Sequence, residues 1–175
     1  VGSTLARRYA ADRRPAQWAR LECGELTPWE YNMEILNGLP ISEAELEAFL
    51  QTVELDPGAR ALVSWCEKHG IPFLILSDGF DRNLDRLQEI HEIDFDYLCN
   101  HLEYEKGVWK IAPTGLNPTE CDCGTGNCKR SRIRRFAAQN PGVRTVHIGN
   151  GRVSDRCGAE EADLAFAKGT LADEL

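Results

Sequence analysis

The chain has 175 residues, of which 42% are hydrophobic and 27% charged, and this balance indicates a folded globular protein rather than a disordered or fibrous one. Its 20 Lys and Arg residues are outnumbered by 28 Asp and Glu residues. The resulting net charge of −8 argues against a binder of nucleic acid or of anionic membranes. The longest apolar run, near residues 71–76, is too short to cross a bilayer, and no export signal is recognised. We therefore expect a cytoplasmic protein without nucleic-acid or membrane partners.

The first 55 residues predict short helices and no strand. Trp18 and Leu21 have helical spacing. Thr27-Pro28 is typical of a helix start, with proline in the first turn. Ser42-Glu-Ala-Glu45 has the pattern of a capping box, which predicts a further helix directly after it. This part of the chain is expected to be a small helical bundle.

From residue 56 onward, strands are expected to alternate with helices. The apolar run at 72–76 predicts a buried parallel strand, which a turn at residues 77–79 then ends. Further helices are predicted at 59–69, 82–90 and 129–139, a hairpin at 97–104 and 108–111, and buried strands at 145–148 and 163–167. The alternation predicts an α/β protein with a Rossmann-like, doubly wound parallel sheet. The ligand site of such a sheet lies at the carboxyl ends of its strands.

The turn after the first predicted strand contains Ser77, Asp78 and Gly79 in sequence. Such a turn presents a hydroxyl and consecutive backbone N–H groups to an anion, so we expect these residues to bind phosphate. A plain helix-capping turn is the alternative for this segment considered alone. The Gly-x-Ser-x-Gly motif of serine hydrolases is not found around Ser77.

A second Gly-rich turn follows the predicted strand at 145–148 and contains Asn150 and Asp155. Both side chains offer hard oxygen atoms, which Mg²⁺ accepts when phosphate and water complete its octahedron. Asn150 and Asp155 are therefore the predicted metal ligands. The alternative for Asp155 is a negative charge that balances the dipole of the following helix.

Lys129 opens the one densely basic helix of this acidic chain, which also carries Arg130, Arg132, Arg134 and Arg135. A solvated helix face accounts for the arginines. Lys129 instead lies at the junction between loop and helix. A point charge on a flexible stem is suited to hold a phosphoryl group while charge shifts in the transition state, so Lys129 is a predicted catalytic residue.

In this order, the Ser77 turn, Lys129 at a helix start and Gly149-Asn-Gly-x-x-Ser-Asp155 resemble motifs two, three and four of the haloacid-dehalogenase-like phosphatases. Details of these segments are most similar to the phosphoserine-phosphatase-like branch. The resemblance covers nearly the whole chain. It implies a small helical cap at 5–55 and an α/β core with a hairpin insertion at 56–175. Residues 1–4 would be the end of the first core strand or a linker.

The resemblance also implies a mechanism. In this family an Asp nucleophile in a DxDxT motif forms an aspartyl-phosphate, a second Asp acts as general acid and base, and Mg²⁺ neutralises the phosphate. Ser77 would bond the transferring oxygens, and Lys129 would pair with them and with the nucleophile. The expected function is a Mg²⁺-dependent phosphomonoesterase for a small phosphorylated metabolite. Phosphoserine, methylthiopentenyl phosphate and other small esters remain open as substrates.

The chain departs from the family pattern in two ways. The DxDxT motif is not found, because Asp94-Phe-Asp96 lacks the Thr and follows a predicted helix, and we interpret that segment as a decoy. We expect the nucleophile upstream of Val1. The alternative is a protein of the same fold that binds a phosphorylated ligand without hydrolysing it. Asn150 stands where the family usually has Asp, and its neutral side chain predicts weaker metal binding.

The seven cysteines are an odd number in a chain that can build a core without disulfides, so free thiols are expected. Cys121, Cys123 and Cys128 lie close together in sequence, and with a distant fourth ligand such as Cys99 or Cys157 they could hold zinc. The other interpretation is a Gly-rich turn with ordinary thiols, because the spacing is not that of paired CxxC motifs.

Side chains of the expected cap are the candidates for substrate contact, namely Glu22 and Tyr31 together with Trp18 and Trp29. Packing within the cap is the alternative for all four residues. It is the favoured interpretation for the two tryptophans, because large aromatic side chains dominate core packing.

Overall fold

A computed structural model describes residues 14–37, 41–115 and 120–175 of the chain. The expected strand end or linker at 1–4 and the first residues of the expected cap lie outside these ranges. The helices are α1 (Arg14–Glu22), α2 (Pro28–Leu36), α3 (Glu43–Leu50), α4 (Pro57–Lys68), α5 (Asp81–His91), α6 (Lys129–Gln139) and α7 (Arg156–Glu161). The strands are β1 (Leu74–Phe80), β2 (Asp96–Glu105), β3 (Val108–Ala112), β4 (Val146–Gly149) and β5 (Leu164–Ala167). In these ranges no helix is long and apolar enough to span a bilayer.

Helices α2 and α3 begin at the residues that the sequence indicates. Thr27 Oγ1 accepts a hydrogen bond from Glu30 N at 3.2 Å, and Glu30 Oε2 accepts one from Thr27 N at 2.8 Å. Ser42 and Glu45 form the same reciprocal pair at the start of α3. Each box satisfies backbone N–H groups that a helix leaves unpaired in its first turn, so both predicted helix starts are confirmed.

The strands form two sheets in the described ranges. β1 and β2 are parallel, from the pair Leu74 and Asp96 at one end to Phe80 and Asn100 at the other, and β3 adds to β2 as an antiparallel hairpin. β4 and β5 form a second, parallel pair. Helices lie between the parallel strands along the chain, so the α/β class expected from the sequence is confirmed.

Two details of the predicted strands are wrong. β1 starts at Leu74 and continues to Phe80, so the segment expected as a turn at residues 77–79 is extended. A side chain of β2 binds the backbone of this segment, because Asn100 Nδ2 donates a hydrogen bond to the carbonyl of Asp78 at 3.0 Å.

The second wrong detail is burial. Apolar side chains on three strands expected to be buried are 43–57% exposed, because no described residue covers them: Leu74, Val146, Ile148, Leu164 and Phe166. β1 pairs with β2 alone and β4 with β5 alone within the described ranges, so β1 and β4 each have one free edge.

The main hydrophobic core joins α2 and α3 to the hairpin and α5. Its buried members are Trp29, Ile35, Ile41, Leu46, Leu50, Phe80, Leu87, Leu102, Trp109 and Ile111. Trp109 is 3% exposed, and its indole Nε1 donates to the carbonyl of Ile41 at 2.8 Å. Arg86 on α5 pairs with Glu47 on α3 at 2.6 Å. These contacts fix the position of the amino-terminal helices on the β2–β3 side of the molecule.

We predict that an exposed ion pair at the start of α5 makes stability depend weakly on pH. His101 Nδ1 lies 2.5 Å from Asp81 Oδ2, and this hydrogen bond raises the pKa of His101. Because the pKa of His101 is higher in the folded state, its protonation stabilises the folded protein, fully so below the unfolded-state pKa of about 6.5. This stabilisation is lost as the pH rises through the folded-state pKa. Exposure limits the effect to less than about 1 kcal/mol.

Urea unfolding of the wild type and of His101→Gln measures this effect. The free energy of unfolding of the wild type should exceed that of the variant by more at pH ~6 than at pH ~9. An equal advantage at both values would contradict the prediction.

Candidate active site

Ser77 is the middle residue of β1 and lies three residues before the last one, Phe80, after which α5 begins. Its Oγ accepts a hydrogen bond from Gly79 N at 2.9 Å, which directs the hydroxyl over the end of the strand. A Cβ at residue 79 would lie 3.0 Å from that oxygen, so glycine keeps the space beside it free. Ser77 is half-buried, and a ligand at the carboxyl end of the sheet can reach its hydroxyl.

Asp78 directs its carboxylate into the protein. Its Oδ1 accepts hydrogen bonds from Asn100 Nδ2 at 3.0 Å and from Asn127 N at 3.1 Å. Burial raises the pKa of Asp78, while these hydrogen bonds and the positive charge of Lys129 oppose the rise. Because the carboxylate is bonded to Asn100 and Asn127, any contact of Asp78 with phosphate would come from its backbone.

Asn100 and Asn127 connect the Ser77 segment to the loop before Lys129. Neither has any exposed surface. Asn127 Nδ2 donates to the carbonyls of Ser77 at 2.9 Å and of Leu98 at 2.6 Å, which ties the two segments together. Sequence reasoning missed both asparagines. The position of Asn127 two residues before Lys129 was the only signal for it.

Lys129 and Asp155 form a buried ion pair. Lys129 opens α6 and is 4% exposed, and its Nζ donates to Asp155 Oδ1 at 2.5 Å and to the carbonyl of Ser154 at 2.8 Å. Asp155 Oδ2 accepts from the backbone N–H groups of Asn150 at 3.0 Å and Gly151 at 2.7 Å. Burial acts to raise the pKa of Asp155, but Lys129 and the two backbone donors outweigh it and lower the pKa overall. The Asp155 carboxyl group is therefore ionised at neutral pH.

Two glycines allow this close packing. A Cβ at residue 158 would lie 2.9 Å from Lys129 Cβ, and a Cβ at residue 149 would lie 2.8 Å from Asp155 Cβ. His147 lies beside the pair, with Nε2 4.0 Å from Asp155 Oδ1, and burial lowers the pKa of His147. The imidazole is thus neutral at neutral pH.

Asn150 and Asp155 offer the hard oxygen atoms that Mg²⁺ accepts. The two residues would contribute few ligands to a Mg²⁺ site, since they supply one carboxylate and one amide. The carboxylate also pairs already with Lys129. Within the described ranges, no group of three acidic or histidine ligands converges there. Oδ1 of the Asp155 carboxylate pairs with Lys129 and Oδ2 accepts two backbone N–H groups, so Mg²⁺ binding by Asn150 and Asp155 stays a prediction.

Asp94 and Asp96 lie far from this site along the sheet. Asp96 begins β2 and pairs in register with Leu74, the first residue of β1. Both aspartates are therefore at the amino ends of the parallel strands, whereas Ser77 is toward the carboxyl end of β1. This position agrees with the interpretation of the Asp94-Phe-Asp96 segment as a decoy.

Glu22 and Trp18 line a cavity of about 930 Å³ beside the loop at residues 150–155. Arg152 and Val153 of that loop form part of its wall. Tyr31 packs edge-on against Trp18, with 5.8 Å between ring centroids. Trp29 is only 9% exposed and belongs to the hydrophobic core, which is the packing role favoured for it from the sequence.

A site at the carboxyl ends of parallel strands, built around a buried lysine, is suited to an α/β protein that binds an anionic ligand such as a phosphate ester. The family model described as haloacid dehalogenase-like hydrolase matches residues 2–160, so the chain belongs to that family. The resemblance inferred from the sequence is confirmed.

Relatives with curated names are phosphatases. A 2-hydroxy-3-keto-5-methylthiopentenyl-1-phosphate phosphatase of Bacillus pumilus is 29% identical over 91% of this chain and 71% of its own length. The enzyme of the same name from Brevibacillus brevis is 27% identical over 74% of this chain and 57% of its own length. The bifunctional enzyme MtnB/MtnX of Bacillus licheniformis is 32% identical over 91% of this chain and 38% of its own length. The chain thus groups with phosphatases and spans part of the length of each.

Solved structures show the same fold. A probable phosphoserine phosphatase from Vibrio cholerae has a TM-score of 0.70 at 21% identity, covering 97% of this chain and 52% of its own. The phosphoserine phosphatase from T. onnurineus has a TM-score of 0.65 at 19% identity, covering 92% of this chain and 72% of its own. These likenesses confirm the predicted Rossmann-like architecture.

Proposed function

We propose that this chain belongs to a Mg²⁺-dependent phosphomonoesterase that hydrolyses a small phosphorylated metabolite. The observation that carries the proposal is the buried Lys129 ammonium, which lies 2.5 Å from Asp155 Oδ1 and is linked through Asn127 to Ser77. A cation held away from water stabilises developing negative charge more strongly than one in solvent. The names of the curated relatives support the same class of reaction.

Ser77 and Lys129 would hold the phosphoryl group between them. An ammonium group has three N–H donors, and Lys129 directs two of them to Ser154 and Asp155. The third is left for a phosphoryl oxygen. The Ser77 hydroxyl accepts from Gly79 N, so its own hydrogen is available for a second phosphoryl oxygen.

The nucleophile of this proposal is an aspartate outside the described residues, on a strand between β1 and β4. Such a strand would pair with the free edges of both and cover apolar side chains such as Leu74 and Ile148, which are 43% and 55% exposed. A solved phosphoserine phosphatase with a TM-score of 0.67 is described as a phospho-aspartyl intermediate analogue, which supports this route.

In the first step of the proposed reaction, a carboxylate oxygen of the aspartate bonds phosphorus. The bond from phosphorus to the ester oxygen breaks, and a second aspartate gives that oxygen a proton. In the second step, water gives a proton to the second aspartate and attacks phosphorus, the bond from phosphorus to the first aspartate breaks, and phosphate leaves. Asn150 and Asp155 would hold Mg²⁺, which when bound neutralises phosphoryl charge. Because Asn150 is neutral, the proposal includes a weak Mg²⁺ affinity.

Phosphate release tests this proposal. The product of the complete reading frame is assayed with 2-hydroxy-3-keto-5-methylthiopentenyl-1-phosphate, phosphoserine and other small phosphate esters. We expect release from at least one ester in Mg²⁺, loss of release in EDTA, and recovery when Mg²⁺ alone is restored. A folded protein that releases phosphate from none of them contradicts the proposal. Binding of an ester without release would instead favour the non-hydrolysing alternative.

We also propose that the protein works in the cytoplasm. None of the seven cysteines forms a disulfide, and four of them are 1–6% exposed in the protein interior: Cys66, Cys99, Cys128 and Cys157. Reducing compartments maintain cysteines in this state.

A further inference from the structure

Four cysteine sulfurs converge beside the Lys129–Asp155 pair. The Sγ atoms of Cys121, Cys123, Cys128 and Cys157 all lie within 4.8 Å of one another. Three come from the loop before α6, and Cys157 comes from the first turn of α7. In the part of the chain that the structure describes, this is the one place where three or more Cys, His, Asp or Glu ligand atoms meet.

Hydrophobic packing does not account for the cluster. Its buried core, among the described residues, consists of cysteines alone, with no aliphatic or aromatic side chain packed into it. Cys128 is 1% exposed, and Cys121 and Cys157 are also buried. The loop at 121–128 forms neither helix nor strand. Residues 126–128 are held by backbone hydrogen bonds to Gly115 at 3.1 and 3.3 Å. Four converging thiols can order the preceding part of the loop as well, through a shared ligand.

Polar donors surround the sulfurs. Ser131 Oγ donates to Cys128 Sγ at 3.3 Å, and Arg130 Nη1 donates to Cys121 Sγ at 3.7 Å. The hydroxyl of Thr125, which is 1% exposed, lies 3.2 Å from Cys123 Sγ. Hydrogen bonds of this kind orient thiolates that ligate a metal and offset their negative charge.

We propose that Cys121, Cys123, Cys128 and Cys157 bind a structural Zn²⁺ ion as four thiolates. A tetrahedral site with Zn–S bonds of about 2.3 Å places its sulfurs about 3.8 Å apart, which small movements of this cluster reach. Each thiol releases its proton to solvent as its sulfur bonds the metal, so the loaded site carries a charge of about −2. Arg130 provides the neighbouring positive charge.

The proposed zinc would fix the positions of the groups that hold the ion pair. Cys128 directly precedes Lys129, and Cys157 follows Asp155 by two residues. One ion would therefore connect the start of α6 to the start of α7. The same loop also contacts α2, because Trp29 N donates to the carbonyl of Gly124 at 2.8 Å. A closed four-cysteine site leaves no position for substrate, so this role is separate from the proposed phosphatase activity.

The structure also decides between the two distant ligands that the sequence left open. Cys157 joins the cluster. Cys99 lies on β2, where its thiol donates to the carbonyl of Asn100 at 3.4 Å. Cys66 on α4 is likewise buried outside the cluster. These two cysteines provide matched controls for substitution.

Metal analysis of the intact protein, purified without chelator, tests the proposal. We expect about one zinc per chain, and a zinc content at least about fivefold lower in Cys128→Ser and Cys157→Ser. Cys66→Ser and Cys99→Ser should keep the wild-type content. An equal loss of zinc in the control variants and the cluster variants would overturn the assignment of the four cysteines as zinc ligands.

Cobalt substitution in the wild type gives an answer even where a variant fails to fold. Co²⁺ added to zinc-free protein should give the intense thiolate-to-metal absorption of a tetrahedral sulfur site, and Zn²⁺ should remove it. A folded wild-type protein that shows no such absorption, or that holds less than about 0.1 zinc after loading and desalting, overturns the proposal. Disulfides among these cysteines in freshly purified protein, detected by mass spectrometry, would do so as well.

Discussion

Replacement of Lys129 by methionine should reduce the rate of phosphate release by about 10²–10³-fold, because the donor aimed at the phosphoryl group is lost. It should also lower the free energy of unfolding by about 3–5 kcal/mol, since the buried Asp155 carboxylate would lose its partner. Both side chains of the pair are largely inaccessible, at 5% and 11% exposure, so water cannot replace the lost ammonium. Phosphate-release kinetics and urea unfolding measure the two effects.

Lys168→Met is the matched control for this variant. Lys168 Nζ also pairs with an aspartate from a distant segment, at 2.8 Å from Asp56 Oδ2, but the two side chains are 66% and 58% exposed. Exposed pairs contribute little to stability, so the control should unfold nearly as the wild type does and keep its activity. If Lys129→Met behaves like the control, the assigned role of Lys129 is wrong.

Asn127→Ala should destabilise the protein by about 2–6 kcal/mol, because two part-buried carbonyls each lose a donor at about 1–3 kcal/mol. These carbonyls belong to Ser77 and Leu98, and the Asn127 side chain also accepts from Arg132 Nε at 2.9 Å. The loss loosens the link between the Ser77 segment and the loop before Lys129, although the backbone N of residue 127 still donates to Asp78. We therefore expect a reduced kcat as well as a lower urea midpoint.

Asn140→Ala is the control variant, because it removes an asparagine side chain that does not connect the Ser77 segment to the loop before Lys129. Asn140 Nδ2 donates to one carbonyl, that of Phe136 at 2.9 Å, at the half-buried end of α6. Loss of a single hydrogen bond should cost about 0.5–1.5 kcal/mol and leave kcat unchanged. Equal stability and activity of the two variants would show that Asn127 does not connect the two segments as described.

The features that the sequence predicted well are those that neighbouring residues determine. The capping boxes at Thr27 and Ser42 need only residues three positions apart, and both helix starts are found in the structure. Helix α6 begins at Lys129 and ends at Gln139, as the pattern indicated. β1 was placed less well, because its extension to Phe80 depends on Asn100 of β2, whose effect no local pattern reveals.

The candidate site shows the same division. Ser77, Lys129 and Asp155 were recognisable because each follows a strand or opens a helix. The direct pairing of Lys129 with Asp155, and the hydrogen bonds from Asn100 and Asn127, join segments 22–50 residues apart along the chain. Such contacts are tertiary. The prediction that β4 is buried failed for a related reason. The apolar residues of β4 can be read from the local sequence, but the segments that would cover them are distant along the chain.

The Trp29 ring occupies the space in which a side chain at residue 126 would stand, with ring atoms 2.3 Å from an ideal Cβ there. The two positions are therefore epistatic. A larger residue at 126 requires a smaller residue at Trp29 and also a shift of Asn100, whose Oδ1 lies 2.7 Å from the same ideal Cβ. Replacement of Trp29 alone opens a void in the core, so change at this position of α2 is constrained by a glycine three residues before Lys129.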